Sequence, residues 1–473
     1  LLSKNIFGPD TFTPEGMKII TDTTCLRDIV ARNVSNPSDV ACSFQSVKPV
    51  PGPQRFAPLL RIVETLDFAF GRGWEGYFTN KAAKYGAPVF YSHALLSGVV
   101  VMDTKGCEVF TNWDGQLAKD EAFGTTTAPK ELTGGVVPSV FGNGAAHEKY
   151  KALYQDILMA RRGELTSTFQ AVLATHAADW VANDTTCLRD GIERMCIGFL
   201  FNWYFDLDVD TDAVRKAYND IFGHKPRSWA RLNPFSDLHK AQATIEDLTV
   251  RLKVSPRFRE YGQMAKAKGL NNETALAQQL LFMVGMNNYL GLQSMMKSLV
   301  GELANNPEYT DALRADPQMD SALPSLVQET LRLHPPVFFI YGRAQEDFVL
   351  QTSAGGYQIV KDTHLTGVIP LVQRDPEIYE DSDTFRPARH ADGAHARHLI
   401  WPHAQTDAQV TATDHGCPGK DVAAYIGTLF AGAMVRDYEW DLRDAPEWTD
   451  RKFDLNVAAP MGDMTTSYFR NRV

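Results

Sequence analysis

The sequence predicts a mainly α protein with a small β-rich part, held in one domain. Three observations carry this. From about residue 147 to 335 apolar residues recur at the helical period with few breaks, and 418–436 repeats the pattern. Two stretches, mostly within 50–115 and 338–390, alternate short apolar runs with Gly and Pro, as strands and their turns do. No low-complexity linker divides the 473 residues, so strands and helices are expected to share one domain over 49–473, after an N-terminal lead-in at 1–48.

The elements follow in order. The lead-in runs into the turn-rich Pro49-Val-Pro51-Gly-Pro53. Ala87-Pro-Val-Phe-Tyr91 and Ser97-Gly-Val-Val-Val-Met102 read as short strands. Segment 274–300 carries Leu276, Leu280, Leu281, Met283, Val284, Met286, Leu290, Met295 and Leu299 around its whole circumference, so it is expected to be a helix buried on all sides. Into it are set Gly285, Asn287, Asn288 and Gly291. Each interior Gly costs about 1 kcal/mol relative to Ala, and a buried amide without partners costs about 1–3 kcal/mol. Either something approaches this helix closely, or the amides bond neighbouring helices. Glu329-Thr-Leu-Arg332 places an acid and a base three apart on one helical face. Cys417 precedes Pro418-Gly-Lys-Asp421 and an apolar run from Val422 to Val435. With Pro418 as the first helical residue, Cys417 would stand at a helix N-terminus, where unpaired N–H groups favour a thiolate.

Composition excludes several classes. The charge balance is 47 − 57 = −10 and the pI about 5.7, which argues against a nucleic-acid binder or a polybasic lipid anchor. Six cysteines without a C-x-x-C pair imply a reduced, intracellular chain, cytoplasmic or in peripheral contact with a membrane. No run approaches the ~18–20 apolar residues of a membrane-spanning helix. The chain opens on Leu1 rather than Met, which leaves room for a preceding segment. There is no P-loop, no G-x-S-x-G elbow and no full G-x-G-x-x-G. His390, His395, His398, His403, His415 and Cys417 crowd into 390–417, which suggests either a zinc site or a solvated loop.

Taken together, Glu329-x-x-Arg332, Arg389 in Phe385-Arg-Pro-Ala-Arg389, and Cys417-Pro-Gly419 resemble the cytochrome P450 family, whose E-x-x-R helix, ion-triad Arg and thiolate loop come in this order. The resemblance implies the P450 fold and a haem b with Cys417 as the axial ligand of its iron. It narrows to the clan that rearranges fatty-acid hydroperoxides: allene oxide synthases, hydroperoxide lyases and epoxyalcohol synthases. Glu131-Leu-Thr-Gly-Gly135, His147-Glu-Lys149, Tyr341-Gly-Arg-Ala344, Cys417-Pro-Gly-Lys-Asp421 and the long stretch from His398 to Cys417 carry that likeness, in patches from about 50 to 440.

An ordinary monooxygenase places an acid–Thr pair in its central helix to protonate iron-bound oxygen; here the text is Gly285-Met-Asn287-Asn288. A substrate that brings its own O–O bond removes that need. The resemblance assigns Asn287 as the catalytic residue that binds the hydroperoxide, with Asn288 turned about 100° away. Lys119, His147, Lys151, Arg343 and His415 resemble positions that hold haem propionates. Phe123, Phe338, Phe339 and Ile340 would line the acyl pocket, and Glu329, Arg332 and Arg389 would form the structural ion triad. The implied reaction is homolysis of the O–O bond and closure of the alkoxyl radical onto the neighbouring double bond. Rebound then gives an epoxyalcohol, loss of an electron and a proton gives an allene oxide, and scission gives aldehydes. Epoxyalcohol synthase is the favoured reading, because the chain departs from the plant-type text at many positions. Such an enzyme acts downstream of a lipoxygenase in oxylipin biosynthesis and needs no O₂, NADPH or reductase. The alternatives are an allene oxide synthase or hydroperoxide lyase, a conventional P450 monooxygenase, and a non-enzymatic haem or zinc protein.

Overall fold

The computed structural model describes residues 18–20, 44–54, 58–94, 97–111, 115–119, 139–183, 185–222, 233, 235–393, 395, 398, 400–448 and 459–472. The chain divides into two compact units, Leu1–Ala118 with Gly342–Gly367, and Lys119–Tyr341 with Val368–Val473.

The first unit holds most of the sheet. Val89–Ser92 pairs antiparallel with Gly98–Val101, with Val89 opposite Val101, which places the two predicted strands as expected. His364–Val368 runs parallel to the second of these, Leu365 opposite Val99. A second sheet joins Lys48–Pro49, Gly355–Ile359 and Phe348–Thr352. Ahead of Val89–Ser92 the chain forms helices at Pro58–Leu66 and Gly73–Tyr85. A buried carboxylate joins these helices to the strand end. Glu64 accepts hydrogen bonds from Tyr77 at 2.8 Å, Lys81 at 2.6 Å and the His93 amide at 2.7 Å. Two helices and the strand end are thereby tied to one acid.

The second unit is helical, from Gly144–Arg161 through Met319–Leu333 and again at Lys420–Arg436. Its central helix starts at Glu273, where the Asn272 side chain accepts from the amides of Thr274 and Ala275 at 3.1 and 3.0 Å. It runs to Asn305 and is buried on nearly every side, as its composition required. Even Lys297 is inside, paired with Glu193 of the helix Leu188–Phe205 at 2.5 Å. The 3.6 period is broken once. Met283–Tyr289 forms a π turn, closed by the Leu290 amide on the Gly285 carbonyl five residues back.

Glu329 and Arg332 face each other on the helix Met319–Leu333, fully buried, with two bonds at 2.8 and 2.9 Å. Arg389 adds a third at 3.0 Å, as the motif order implied. His390, which the sequence placed only in the His-rich stretch, adds a fourth at 2.8 Å, and the Arg386 amide a fifth at 2.8 Å. Arg332 also reaches the carbonyls of Gln373 and Ser382 at 3.0 and 2.6 Å. Burial on its own would raise the Glu329 pKa; the bonds from Arg332, His390 and Arg386 overcome it and hold the acid down at about 2. This lowered value stabilises the fold above the ordinary carboxylate range, and the stabilisation fades as pH falls toward 2. Glu329→Gln should therefore cost about 3–5 kcal/mol near neutrality, since it leaves buried cations without their acid. Urea unfolding checks this. The gap to wild type should narrow as pH drops below about 4.5, and a constant gap would contradict the ionic account.

Candidate functional site

The loop before the last helix places Cys417. Its amide donates to the Pro402 carbonyl at 3.1 Å, which folds the loop back on itself. The helix begins at Lys420 with Gly419 as its cap, so Cys417 stands ahead of the first turn rather than directly before a helical Pro418. Burial pushes the Cys417 thiol above its ordinary range, while the Gly419 amide and the Lys151 ammonium pull the other way. A thiolate at this position thus calls for a positive partner.

Cys417 opens on a cavity with two adjoining lobes that share Leu158, Tyr204, Asn288, Gly291, Val337, Pro402 and Gly419 with it. One lobe is apolar, walled by Leu292 and Met295 of the central helix and by Val422, Ala423 and Ile426 of the last one. The other gathers Lys119, His147, Lys151, His403 and His415, and no acid lines it among the described residues. Lys119 is buried, hydrogen-bonds His403 Nε2 and lies 4.4 Å from the centre of the Tyr341 ring. Burial and the neighbouring Lys151 push the Lys119 pKa well down. Lys151 donates to the Asp414 carbonyl at 2.6 Å and pairs with its carboxylate. His147 faces the Ser139 and Asp414 carbonyls at 2.8 and 2.9 Å, and its ring lies 4.1 Å from that of His415. Burial, and then Lys119, His147 and Lys151, lower the His415 pKa strongly. Such a lobe suits an anionic group that brings the missing negative charge.

Two of the glycines that line this cavity leave room in it. A Cβ on Gly291 or on Gly419 would meet nothing within 4 Å. A flat prosthetic group with acidic edges and a thiolate-bound metal fits this arrangement of Cys417, small residues and cations. Gly285 does otherwise. A Cβ there would sit 2.1 Å from the Tyr218 ring, so this glycine serves helix packing and not the approach of a ligand.

Four of the five residues that resembled propionate holders, Lys119, His147, Lys151 and His415, come together here. The fifth, Arg343, belongs to the first unit, where it donates to the Asp362 carbonyl at 2.8 Å. His403 was missed as a partner of Lys119, because a loop histidine gives no periodic signal. Of the acyl-pocket candidates, Phe339 lines the cationic lobe, while Phe338 and Ile340 are buried in the core. Phe123 and Glu131–Gly135 lie outside the described residues, as does the side chain of Asn287, whose backbone forms part of the π turn. Asn288, expected to turn away, lines both lobes and donates to the Tyr204 hydroxyl at 3.1 Å. The π turn explains this, since an angle of about 100° per residue holds only in an α-helix. Among the described residues no group of three His, Cys, Asp or Glu could hold a metal ion, so the zinc reading of 390–417 finds no support. No described helix is long and apolar enough to cross a membrane.

Comparison with known proteins gives the same picture from outside. The family described as Cytochrome P450 matches residues 293–462. A 9-divinyl ether synthase of Capsicum annuum is 26% identical over 451 residues, covering 83% of this chain and 92% of the relative. An epoxyalcohol synthase of Ectocarpus siliculosus is 24% identical over 434 residues, 82% of this chain and 91% of the relative. A chloroplastic allene oxide synthase of Linum usitatissimum is 22% identical over 446 residues, 83% of this chain and 82% of the relative. Among solved structures, a variant of cytochrome P450 OleT in complex with arachidonic acid superposes with a TM-score of 0.68 at 17% identity, over 87% of this chain and 97% of that one. The fold is that of a cytochrome P450. Divinyl ether synthases add a product class that the sequence alone did not bring forward.

Gly285 and Gly291 of the central helix should separate in their response to a methyl group. Gly285→Ala must displace the Tyr218 ring and should lose about 1–3 kcal/mol. Gly291→Ala meets open space and should keep its stability or gain up to about 1 kcal/mol. Urea unfolding of both variants checks this, and equal losses would contradict the assignment of the open wall.

Proposed function

We propose that this chain, which carries a P450 domain in a cytochrome P450 fold, converts polyunsaturated fatty-acid hydroperoxides by cleavage of their own O–O bond, with an epoxyalcohol as the main product. The observation that carries the reading is the wall facing Cys417. The central helix presents Met283, Met286, Asn288 and Gly291 there, and its sequence over 283–289 holds two amides and no acid–Thr pair. Amides bind and orient an oxygen-bearing substrate but deliver no proton of the kind that O₂ activation uses. Relatives that are divinyl ether, epoxyalcohol and allene oxide synthases support the same class. A neighbouring fold bound to arachidonic acid supports a long acyl chain.

The haem, once bound, supplies the one-electron chemistry that splits the peroxide bond. The protein's own residues do the rest. Cys417 supplies the anionic ligand. Lys119, Lys151, His147, His403 and His415 would hold the acidic edge as hydrogen-bond donors. Asn287 is assigned the peroxide oxygens, on the family resemblance. Val337 and Phe339 offer apolar surface to the acyl chain, and the lobe walled by Leu292 and Met295 excludes water. The substrate is supplied by a dioxygenation of a polyunsaturated fatty acid, the lipoxygenase class of reaction, and no reductase is required.

Two measurements test this. Purified haem-loaded protein should consume linoleate hydroperoxides under argon without NADPH, and chromatography should show epoxyalcohols. A strict need for O₂ and a reductase would restore the monooxygenase. Cys417→Ala should lose the red-shifted band of the reduced, CO-bound thiolate haem, and an unchanged spectrum would remove Cys417 as ligand.

A further inference from the structure

The π turn of the central helix is clamped from two sides. Tyr218, on the helix Thr211–Phe222, donates its hydroxyl to the Leu281 carbonyl at 3.0 Å, just ahead of the turn. Its ring fills the place where Gly285 has no side chain. Next to it, Tyr289 donates to the Asn219 side-chain carbonyl at 3.2 Å, with its ring 6.0 Å from that of Tyr218. On the other side Tyr204, near the end of the helix Leu188–Phe205, accepts from the Asn288 amide at 3.1 Å. Tyr204 is itself fixed, because the Tyr261 hydroxyl bonds its backbone carbonyl. Tyr204, Tyr218 and Tyr289 are all buried.

A π turn is a rare interruption of an α-helix, and such turns gather at functional sites. This one lies in the wall of the Cys417 cavity, and Asn288 and Tyr204 both line each lobe. We propose that the clamp made by Tyr204 and Tyr218 fixes the angular setting of the π turn toward Cys417, and thereby decides which product the enzyme releases. Both tyrosines are positioning residues that act through the turn. The proposal rests on the hydroperoxide reading, because it needs a reaction with competing fates. Relaxation of the turn to an α-helix would rotate the following residues by about 100°. Asn288 would then leave Tyr204 and meet the cavity at another angle. An intermediate that partitions between rebound, electron loss and scission is sensitive to such a change, while binding of the haem by Cys417 is not.

The test uses haem-loaded wild type, Tyr204→Phe, Asn288→Leu, the double variant and Tyr218→Phe, each given one purified linoleate hydroperoxide. Tyr204→Phe and Asn288→Leu should each shift the ratio of epoxyalcohol to other products in the same direction by at least about fivefold, and the double variant no further than either single one. The ferric spectrum should stay that of wild type. Tyr218→Phe should speed amide hydrogen exchange in peptides spanning 281–291 by about tenfold and move the product ratio the same way. Wild-type product ratios in the variants would overturn the proposal, even if their stability fell. Additive shifts in the double variant would overturn it as well. If wild type leaves every hydroperoxide untouched, the reading of the reaction fails instead, and unchanged exchange in Tyr218→Phe then refutes the clamp by itself.

Discussion

The Glu329 carboxylate has no exposed surface, and much of the second unit is hung on it. Five donors from two stretches of chain converge there: Arg332 twice, and the Arg386 amide, Arg389 and His390. Taking this acid and its cations out of water is costly, and only a fully bonded arrangement offsets that cost. The result is a fixed point between the helix Met319–Leu333 and the turn at Pro387–His390, from which the chain continues into the loop that carries Cys417. The segment from Val337 to Phe339 leaves the same helix and enters the cavity wall. Both flanks of the site therefore start from one ionic knot.

From that fixed frame the cavity acquires its two characters. Its apolar lobe is built from the central helix and the last helix, whose small residues stand where bulk would close the space. The other lobe gathers cations and imidazoles whose balancing acid, Asp414, lies behind the wall and is already bonded to Lys151. A group with acidic edges would bring acceptors to a lobe that no acid lines among the described residues. Such a group would also bring a positive metal for Cys417, whose thiol is pushed up by burial. The two electrostatic deficits are thus complementary to one prosthetic group.

The fold and half of the site could be read from the chain, for identifiable reasons. Glu329 and Arg332 were legible because i, i+3 spacing puts them on one face whatever surrounds them. Arg389 and Cys417 were legible through motif order. His390 was not, because its contact depends on a tight turn that lets two consecutive residues reach one carboxylate. The burial of the central helix was plain from its composition, yet its π turn was invisible, since one extra residue in a turn hardly changes an apolar pattern that runs all round. That turn is why Asn288 reaches the cavity and Tyr204. Gly285 looked like room for a ligand, but Tyr218 fills that room from a helix more than sixty residues away in sequence, a contact no local pattern reports.

The central claim is that the oxygen chemistry is internal to the substrate. It is tested most directly with a linoleate hydroperoxide carrying heavy oxygen at both peroxide positions, given to the haem-loaded protein in ordinary water and air, with no reductant. The account predicts that the oxygen bonded to the acyl carbon stays in the primary product and that none enters from the gas. Uptake of oxygen from air, dependent on an electron donor, would contradict it.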